Sequence, residues 1–212
     1  MRHRVSRKRG LVFGNVVLER ADMSTQPKTF LTPEQYLEIE RKAEYKSEYF
    51  EGEMFAMAGA REAHNLIVAN LVAQVHSQLR SGPCRVYPSD MRVRVSATGL
   101  YTYPDIVVAC EDPRFLDERR DTLLNPTLIV EVLSESTEAY DRGRKFGHYR
   151  SIESLAEFLL VSSQRIGAEL FTRQPDGGWL LTAASGLQDT LQLPATGCRL
   201  PLADLYEKVE FR

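Results

Sequence analysis

Two short apolar segments each contain one acidic residue at a position where a buried strand would normally carry an apolar side chain. The first segment, residues 103–108, contains Asp105, and the second, residues 128–133, contains Glu131. Both are rich in β-branched residues and bounded by proline, asparagine or charged loops, a pattern typical of strands buried on both faces. An ionised carboxylate in such a strand is costly unless it is paired, hydrogen-bonded or coordinated to a cation.

These two carboxylates could share one divalent cation if their strands lie side by side. The alternative is structural, since an acid in a strand is commonly satisfied by an arginine or by backbone amides. The residue types and the spacing of Asp105 and Glu131 leave both interpretations open.

Several short motifs follow one another in an order that resembles the Uma-type putative restriction endonuclease family of the PD-(D/E)XK nuclease superfamily. Between about residues 30 and 205 they are Leu31–Leu37, Glu48–Glu53, Pro104–Asp105, Glu131–Leu133 and Asp141–Phe146. The resemblance implies an α/β (α+β) fold with a restriction-endonuclease-like mixed β-sheet core flanked by helices. It also implies an endonuclease that hydrolyses DNA phosphodiester bonds with Mg²⁺, for which Mn²⁺ could substitute.

The resemblance assigns the metal to Asp105 and Glu131, with the backbone carbonyl of Val132 as a third oxygen ligand. Oxygen ligands suit a hard cation such as Mg²⁺. The acid-x-lysine triplet of the superfamily has Leu133 at its third position here, so the expected strand lysine is missing. Lys145, on the segment that follows, is the cation that we expect in its place.

Two further residues are auxiliary candidates. The resemblance places Glu53 near the active centre as an additional metal ligand, although a solvated turn carboxylate is an equal alternative. His64 begins the apolar stripe of a predicted helix over residues 61–80, within reach of the acids, where a capping or core histidine is the alternative. Asp90, which precedes another strand, is another carboxylate that could reach the site.

The elements that must position these residues are visible in the sequence. Thr32, followed by proline and by Gln35, predicts a helix start, and we expect that helix to reach about residue 45. Glu51-Gly52 predicts the turn of a hairpin. A helix is predicted over residues 136–151.

Charged residues on two of these elements allow more than one role. In the 136–151 helix, Asp141 and Lys145 share a face, and an exposed ion pair is the alternative to a catalytic lysine. Arg92 and Arg94 alternate with valines on a predicted strand. We expect this arginine pair to form the solvated face of the strand, with a phosphate contact as the alternative.

Composition favours one domain over residues 29–212, preceded by a basic extension over residues 1–28. The 212 residues carry a formal net charge of −2, so binding to DNA would depend on a local basic patch and on metal ions. Residues 1–22 contain six lysines and arginines, and we expect an upstream extension that lies loosely on the domain.

The three cysteines are scattered without a CxxC pair, which predicts neither a disulfide framework nor a zinc site. No apolar run approaches the length of a membrane span. We therefore expect a cytoplasmic protein without a membrane partner. The resemblance implies DNA as its partner, and a homodimer is compatible with these features. The alternative function is a catalytically weak or inactive nuclease-fold module that acts in nucleic-acid binding or protein assembly.

Overall fold

The computed structural model describes residues 30–211, so the predicted extension over residues 1–28 lies outside the described part of the chain. The helices are α1 (Pro33–Glu40), α2 (Glu62–Leu79), α3 (Glu138–Tyr140), a π-helix (Asp141–Lys145), α4 (Phe146–Tyr149) and α5 (Leu202–Leu205). The first strands are β1 (Ser47–Phe50), β2 (Glu53–Ala56), β3 (Arg85–Pro88), β4 (Arg92–Val95), β5 (Leu100–Thr102), β6 (Ile106–Ala109) and β7 (Thr122–Leu123). The remaining strands are β8 (Leu128–Leu133), β9 (Glu157–Ser162), β10 (Ala168–Arg173), β11 (Trp179–Ala184), β12 (Thr190–Leu193) and β13 (Cys198–Pro201).

The strands form a six-stranded sheet, a five-stranded sheet and a short hairpin. The six-stranded sheet has the order β11-β10-β9-β8-β6-β3, and the five-stranded sheet has the order β2-β1-β5-β4-β7. Both are mixed, since β8 pairs with β9 and β4 pairs with β7 in parallel, whereas their other neighbours are antiparallel. The fold class is therefore α+β, as predicted, with a mixed sheet that carries the two acidic strands.

The centre of the six-stranded sheet is buried on both faces, because its central strands alternate between two apolar clusters. Val130 and Val132 face the cluster that α2 covers with Ile67 and Leu71. The opposite face, which includes Ile129, packs against the five-stranded sheet and the 138–149 helical segment. Glu131 lies on this second face, so its carboxyl enters the layer between the two sheets.

Local signals explain where the first elements begin. Thr32 and Gln35 form the predicted capping box, in which each side chain accepts a hydrogen bond from the other residue's backbone amide. The helix ends at Glu40 rather than near residue 45. Glu51 and Gly52 both have positive φ, as a two-residue type I′ hairpin turn requires. A Cβ atom at position 52 would also come within 2.7 Å of the Phe30 side chain.

Arg92 does not lie on a solvated face, which corrects the prediction from strand alternation. Its guanidinium is buried, donates to the hydroxyls of Thr122 and Tyr103, and lies 3.1 Å from the Asp121 carboxylate. A buried arginine needs such partners. Arg92 therefore helps to hold the β7 segment against β4.

The cysteines also differ from the prediction, because Cys84 and Cys110 form a disulfide. The two residues lie one position beyond the β3–β6 ladder, in which Arg85 pairs with Ala109. Their proximity follows from strand register, which their separation in sequence does not reveal. Within residues 30–211, no helix is both long enough and apolar enough to cross a bilayer.

Candidate active site

Asp105 and Glu131 lie opposite each other on neighbouring antiparallel strands. The β6–β8 ladder begins with Ile106 opposite Val130, so extending its register by one residue brings Asp105 opposite Glu131. Asp105 precedes the first residue of β6, and Glu131 lies within β8. Residues opposite each other in an antiparallel pair have Cβ atoms about 5 Å apart. The two acids are therefore neighbours across the sheet.

The Asp105 carboxylate is held by the backbone of the partner strand. Its Oδ2 atom accepts a hydrogen bond of 2.8 Å from the amide of Val132. His64, in the first turns of α2, places Nε2 at 3.3 Å from the same oxygen. The structure thus brings together three of the predicted residues and fixes the orientation of the Asp105 carboxylate.

Lys145 lies at the centre of a buried acidic cluster, defined here as Glu48, Glu131 and Asp141. Its Nζ atom is 3.0 Å from Glu131 Oε1, 3.1 Å from Glu48 Oε1 and 3.4 Å from Asp141 Oδ1. Lys145 is only 4% exposed, and all three acids are also buried. The exposed ion pair considered as the alternative for Asp141 and Lys145 is therefore wrong, because their contact lies in the interior and includes two more carboxyls.

A wide helical turn positions Lys145. The predicted helix over residues 136–151 is present as an unbroken helical segment over residues 138–149, with the π-helix Asp141–Lys145 between α3 and α4. The Phe146 amide donates to the Asp141 carbonyl, five residues back. Such wide turns are frequent at functional sites. This one directs both Asp141 and Lys145 into the layer between the sheets.

Hydroxyl groups complete the acidic cluster. Tyr149 donates a hydrogen bond of 2.7 Å to Glu131 Oε1. Tyr140 donates to Glu48 Oε2 at 3.0 Å, and the Thr102 hydroxyl donates to Glu48 Oε1. Because each of these donors comes from a different element, the cluster joins the two sheets to the helical segment.

Three carboxyls share one ammonium in this cluster, and burial is the largest influence on the pKa values of Glu131 and Asp141. Burial raises the pKa of Glu131 to about 8; Lys145 opposes this shift, and the charges of Asp141 and Asp105 add to it. Burial likewise raises the pKa of Asp141. Burial disfavours the charged form of Lys145, but Glu131 and the other neighbours outweigh it and keep the pKa of Lys145 well above its usual value. Burial thus favours the neutral form of Glu131, while the surrounding acids favour the charged form of Lys145.

We expect the Glu131→Gln variant to melt several degrees higher than the wild type at pH 8 and at the same temperature near pH 4.5. Folding raises the pKa of Glu131 from 4.5 to about 8, so this carboxyl costs stability progressively as the pH rises through that interval. Glutamine avoids that cost and can still accept the Tyr149 hydrogen bond. Thermal melts followed by circular dichroism between pH 4.5 and 8 measure the difference. A lower melting temperature at pH 8 would show instead that an ionised Glu131 stabilises the fold through Lys145.

The donor atoms around Asp105 and Glu131 suit a hard cation. Among residues 30–211, the hydrogen bonds and ion pairs of Asp105 fall on Oδ2, and those of Glu131 fall on Oε1. One oxygen of each carboxyl is thus left for a further ligand. Mg²⁺ commonly takes one or two carboxylates and completes its shell with water. In the same part of the chain, no three His, Cys, Asp or Glu side chains are grouped as a metal site.

The site includes residues that the sequence prediction missed and leaves out others that it proposed. Glu48 reaches Lys145, whereas Asp90 lies on the surface with a side chain that is 89% exposed and bonds Lys46. Glu53 begins β2 on the same hairpin as Glu48 and is half-buried. The signal for Glu48 was an acid between Ser47 and Tyr49 on a short strand. This position also lies in one of the motifs on which the family resemblance rests.

The mixed sheet, with Glu131 on β8 and Asp105 directly before β6, agrees with the predicted restriction-endonuclease-like fold. The chain belongs to the Uma2 family, described as "Putative restriction endonuclease", whose profile matches residues 33–203. It is 38% identical over 183 residues to the uncharacterized protein slr1290 of Synechocystis sp. (strain ATCC 27184 / PCC 6803 / Kazusa). The aligned region covers 85% of this chain and 94% of the relative. The uncharacterized protein sll1609 of the same organism is 37% identical over 156 residues, or 74% of this chain and 88% of that protein.

A solved structure has the same fold. It is that of a putative nuclease belonging to DUF820 from Anabaena variabilis ATCC 29413, with a TM-score of 0.67 and 17% sequence identity. The match covers 84% of this chain and 98% of the other. At this identity the likeness concerns the fold, which agrees with the predicted α+β class.

Proposed function

We propose that the protein is an Mg²⁺-dependent endonuclease that hydrolyses phosphodiester bonds in DNA. The observation that carries this proposal is the juxtaposition of Asp105 and Glu131 across two strands, with the Lys145 ammonium 3.0 Å from Glu131. Membership of the Uma2 family supports the class of reaction. The choice of Mg²⁺ rests on the two carboxyls, each of which makes its hydrogen bonds and ion pairs within residues 30–211 through one oxygen.

Asp105, Glu131 and the carbonyl of Val132 would hold the cation. There the cation would supply polarisation of the phosphate and activation of the attacking water. The Val132 amide fixes Asp105 in the required orientation without using its second oxygen. Lys145 places a permanent positive charge beside Glu131, where it can orient the water or balance the charge that develops on the phosphate. His64, on the Asp105 side, can exchange a proton at Nε2.

Calorimetric titration with Mg²⁺ and a plasmid-nicking assay together test this proposal. We expect the purified protein to bind Mg²⁺, to nick supercoiled DNA when Mg²⁺ or Mn²⁺ is present, and to be inactive in EDTA. Binding without nicking would leave a metal site and refute the nuclease. Nicking that persists in EDTA would refute the role of the metal.

A second candidate function is a nuclease-fold module with a weak or vestigial site. The observation that favours it is the saturation of Lys145 by three carboxyls in the interior, where the ammonium is barely exposed. Such a module would bind nucleic acid or a partner protein with the same affinity whether or not Mg²⁺ is present. Calorimetric titration separates the two functions, because the nuclease must bind Mg²⁺ and therefore give a heat of binding, whereas the module need not.

A further inference from the structure

The β1–β2 hairpin presents one face to the candidate active site. In its antiparallel register Glu48 pairs with Phe55, and Phe50 pairs with Glu53. Paired residues point to the same side of a sheet, and so do residues two apart on one strand. All four side chains therefore share the face on which Glu48 contacts Lys145.

Phe55 is an exposed aromatic ring on this face. It lies on β2, an edge strand, and is 49% exposed. A single exposed aromatic residue is common and needs no special explanation. Phe55 differs because it is the direct cross-strand neighbour of Glu48, whose carboxyl bonds the Lys145 ammonium. A planar apolar surface thus lies beside the buried acidic cluster.

An exposed cation lies on the same side of the hairpin. The Arg144 guanidinium stacks over the Phe50 ring, 5.1 Å from its centroid, and makes no ion pair with an acid of residues 30–211. His148 packs edge-on against the same ring, 4.7 Å between centroids. The surface around Arg144 is open. Gly143 and Gly147, on either side of it, are exposed, and a Cβ atom added at either position would meet nothing within 4 Å.

This combination matches the chemistry of a single polynucleotide strand. Aromatic rings bind such strands by stacking on bases, while cations bind the phosphates. Arg144 has a charge to offer that no described acid neutralises, which matters in a chain whose formal net charge is −2. A base within a duplex has its faces covered by its neighbours, so a protein ring can stack on it only where the base is unpaired and unstacked.

We infer that Phe55 and Arg144 form a subsite for an unpaired nucleotide of the substrate strand, with the base on Phe55 and a phosphate on Arg144. This inference rests on the proposed function for the choice of DNA as the ligand, and it goes further by naming the class of DNA. The substrate is a single strand or a duplex with a frayed or extruded base next to the cleavage position.

Fluorescence anisotropy in EDTA tests the subsite without cleavage. The probes are a labelled oligothymidylate, the corresponding oligouridylate and the duplex of oligothymidylate with oligodeoxyadenylate. Phe55→Ala should weaken binding of the single DNA strand about 10-fold and change binding of the duplex less than about twofold. Arg144→Ala should weaken binding to all three and lower the slope of log affinity against log salt concentration by about one.

A tryptophan reporter and a distant control complete the test. The chain has one tryptophan, Trp179, so Phe55→Trp in a Trp179→Phe background gives a single reporter whose emission should be quenched when a base stacks on it. Leu181→Ala, at a residue 50% exposed on the β11 edge of the other sheet, should change no affinity.

Three results would overturn the inference. In the first, Phe55→Ala binds the single DNA strand with the affinity of the wild type. In the second, Phe55→Ala loses as much affinity for the duplex as for the single strand. In the third, Phe55→Ala changes the oligomeric state of the protein and leaves its DNA affinity unchanged. A wild-type protein that binds single strands through Phe55 and never cleaves them would refute the proposed nuclease and leave this subsite standing.

Discussion

The Lys145→Met variant is expected to lose about 3–5 kcal/mol of unfolding free energy at pH 8, the cost of removing one partner from a buried charge cluster. Without the ammonium, Glu48, Glu131 and Asp141 are left in the interior with no cation in contact. The loss should shrink as the pH falls towards 5, because protonation removes the uncompensated charge of the acids. Urea unfolding of both proteins at a series of pH values measures this difference in unfolding free energy.

Lys42→Met is the matched control for this prediction. Lys42 also pairs with a glutamate, but its side chain is 73% exposed, so its loss should cost less than about 1 kcal/mol at any pH. Combining Lys145→Met with Glu48→Gln should recover part of the stability, since the two residues are in contact. If Lys145→Met is as stable as Lys42→Met, the carboxyls of the cluster are neutral in the folded protein.

Asp105→Asn is expected to lower the rate of Mg²⁺-dependent DNA cleavage by at least about 10³-fold, since it removes a charge that holds the metal at the reacting phosphate. Asparagine can still accept the hydrogen bond from the Val132 amide, so the strand pairing should remain. Calorimetry should show no Mg²⁺ binding, and thermal melts should show a folded protein.

Asp90→Asn provides the comparison for Asp105→Asn. Asp90 also lies next to a strand of the same domain, but it is solvent-exposed and its carboxylate contacts Lys46. Its replacement should leave both cleavage and Mg²⁺ binding at the wild-type level. Cleavage by Asp105→Asn at the rate of Asp90→Asn would remove Asp105 from the mechanism.

The sequence predicts the parts of the site that depend on local pattern. The acids at 105 and 131 were recognisable because apolar β-branched residues surround them, and the helix that carries His64 was recognisable from its apolar stripe. The hairpin that carries Glu48 was predicted from its Glu51-Gly52 turn. In each case the evidence lies within a few residues.

The remaining features depend on contacts between distant segments. Arg92 alternates with valines as a solvated residue would, and only its bonds to Tyr103 and Asp121 explain its burial. The wide turn at 141–145 breaks the 3.6-residue periodicity on which the helix prediction relied. Glu48 is a site residue only because its hairpin packs beside Lys145.

The antiparallel pairing of β6 with β8 sets different limits on insertions and deletions in different parts of the chain. A one-residue insertion between Asp105 and Val108 would shift the ladder and turn one acid to the opposite face of the sheet. The connection between the strands has an exposed tip at residues 117–120, where added length would leave the ladder unchanged. Homologous chains can therefore differ widely in the number of residues between the two acids, provided that each acid keeps its place at its own strand.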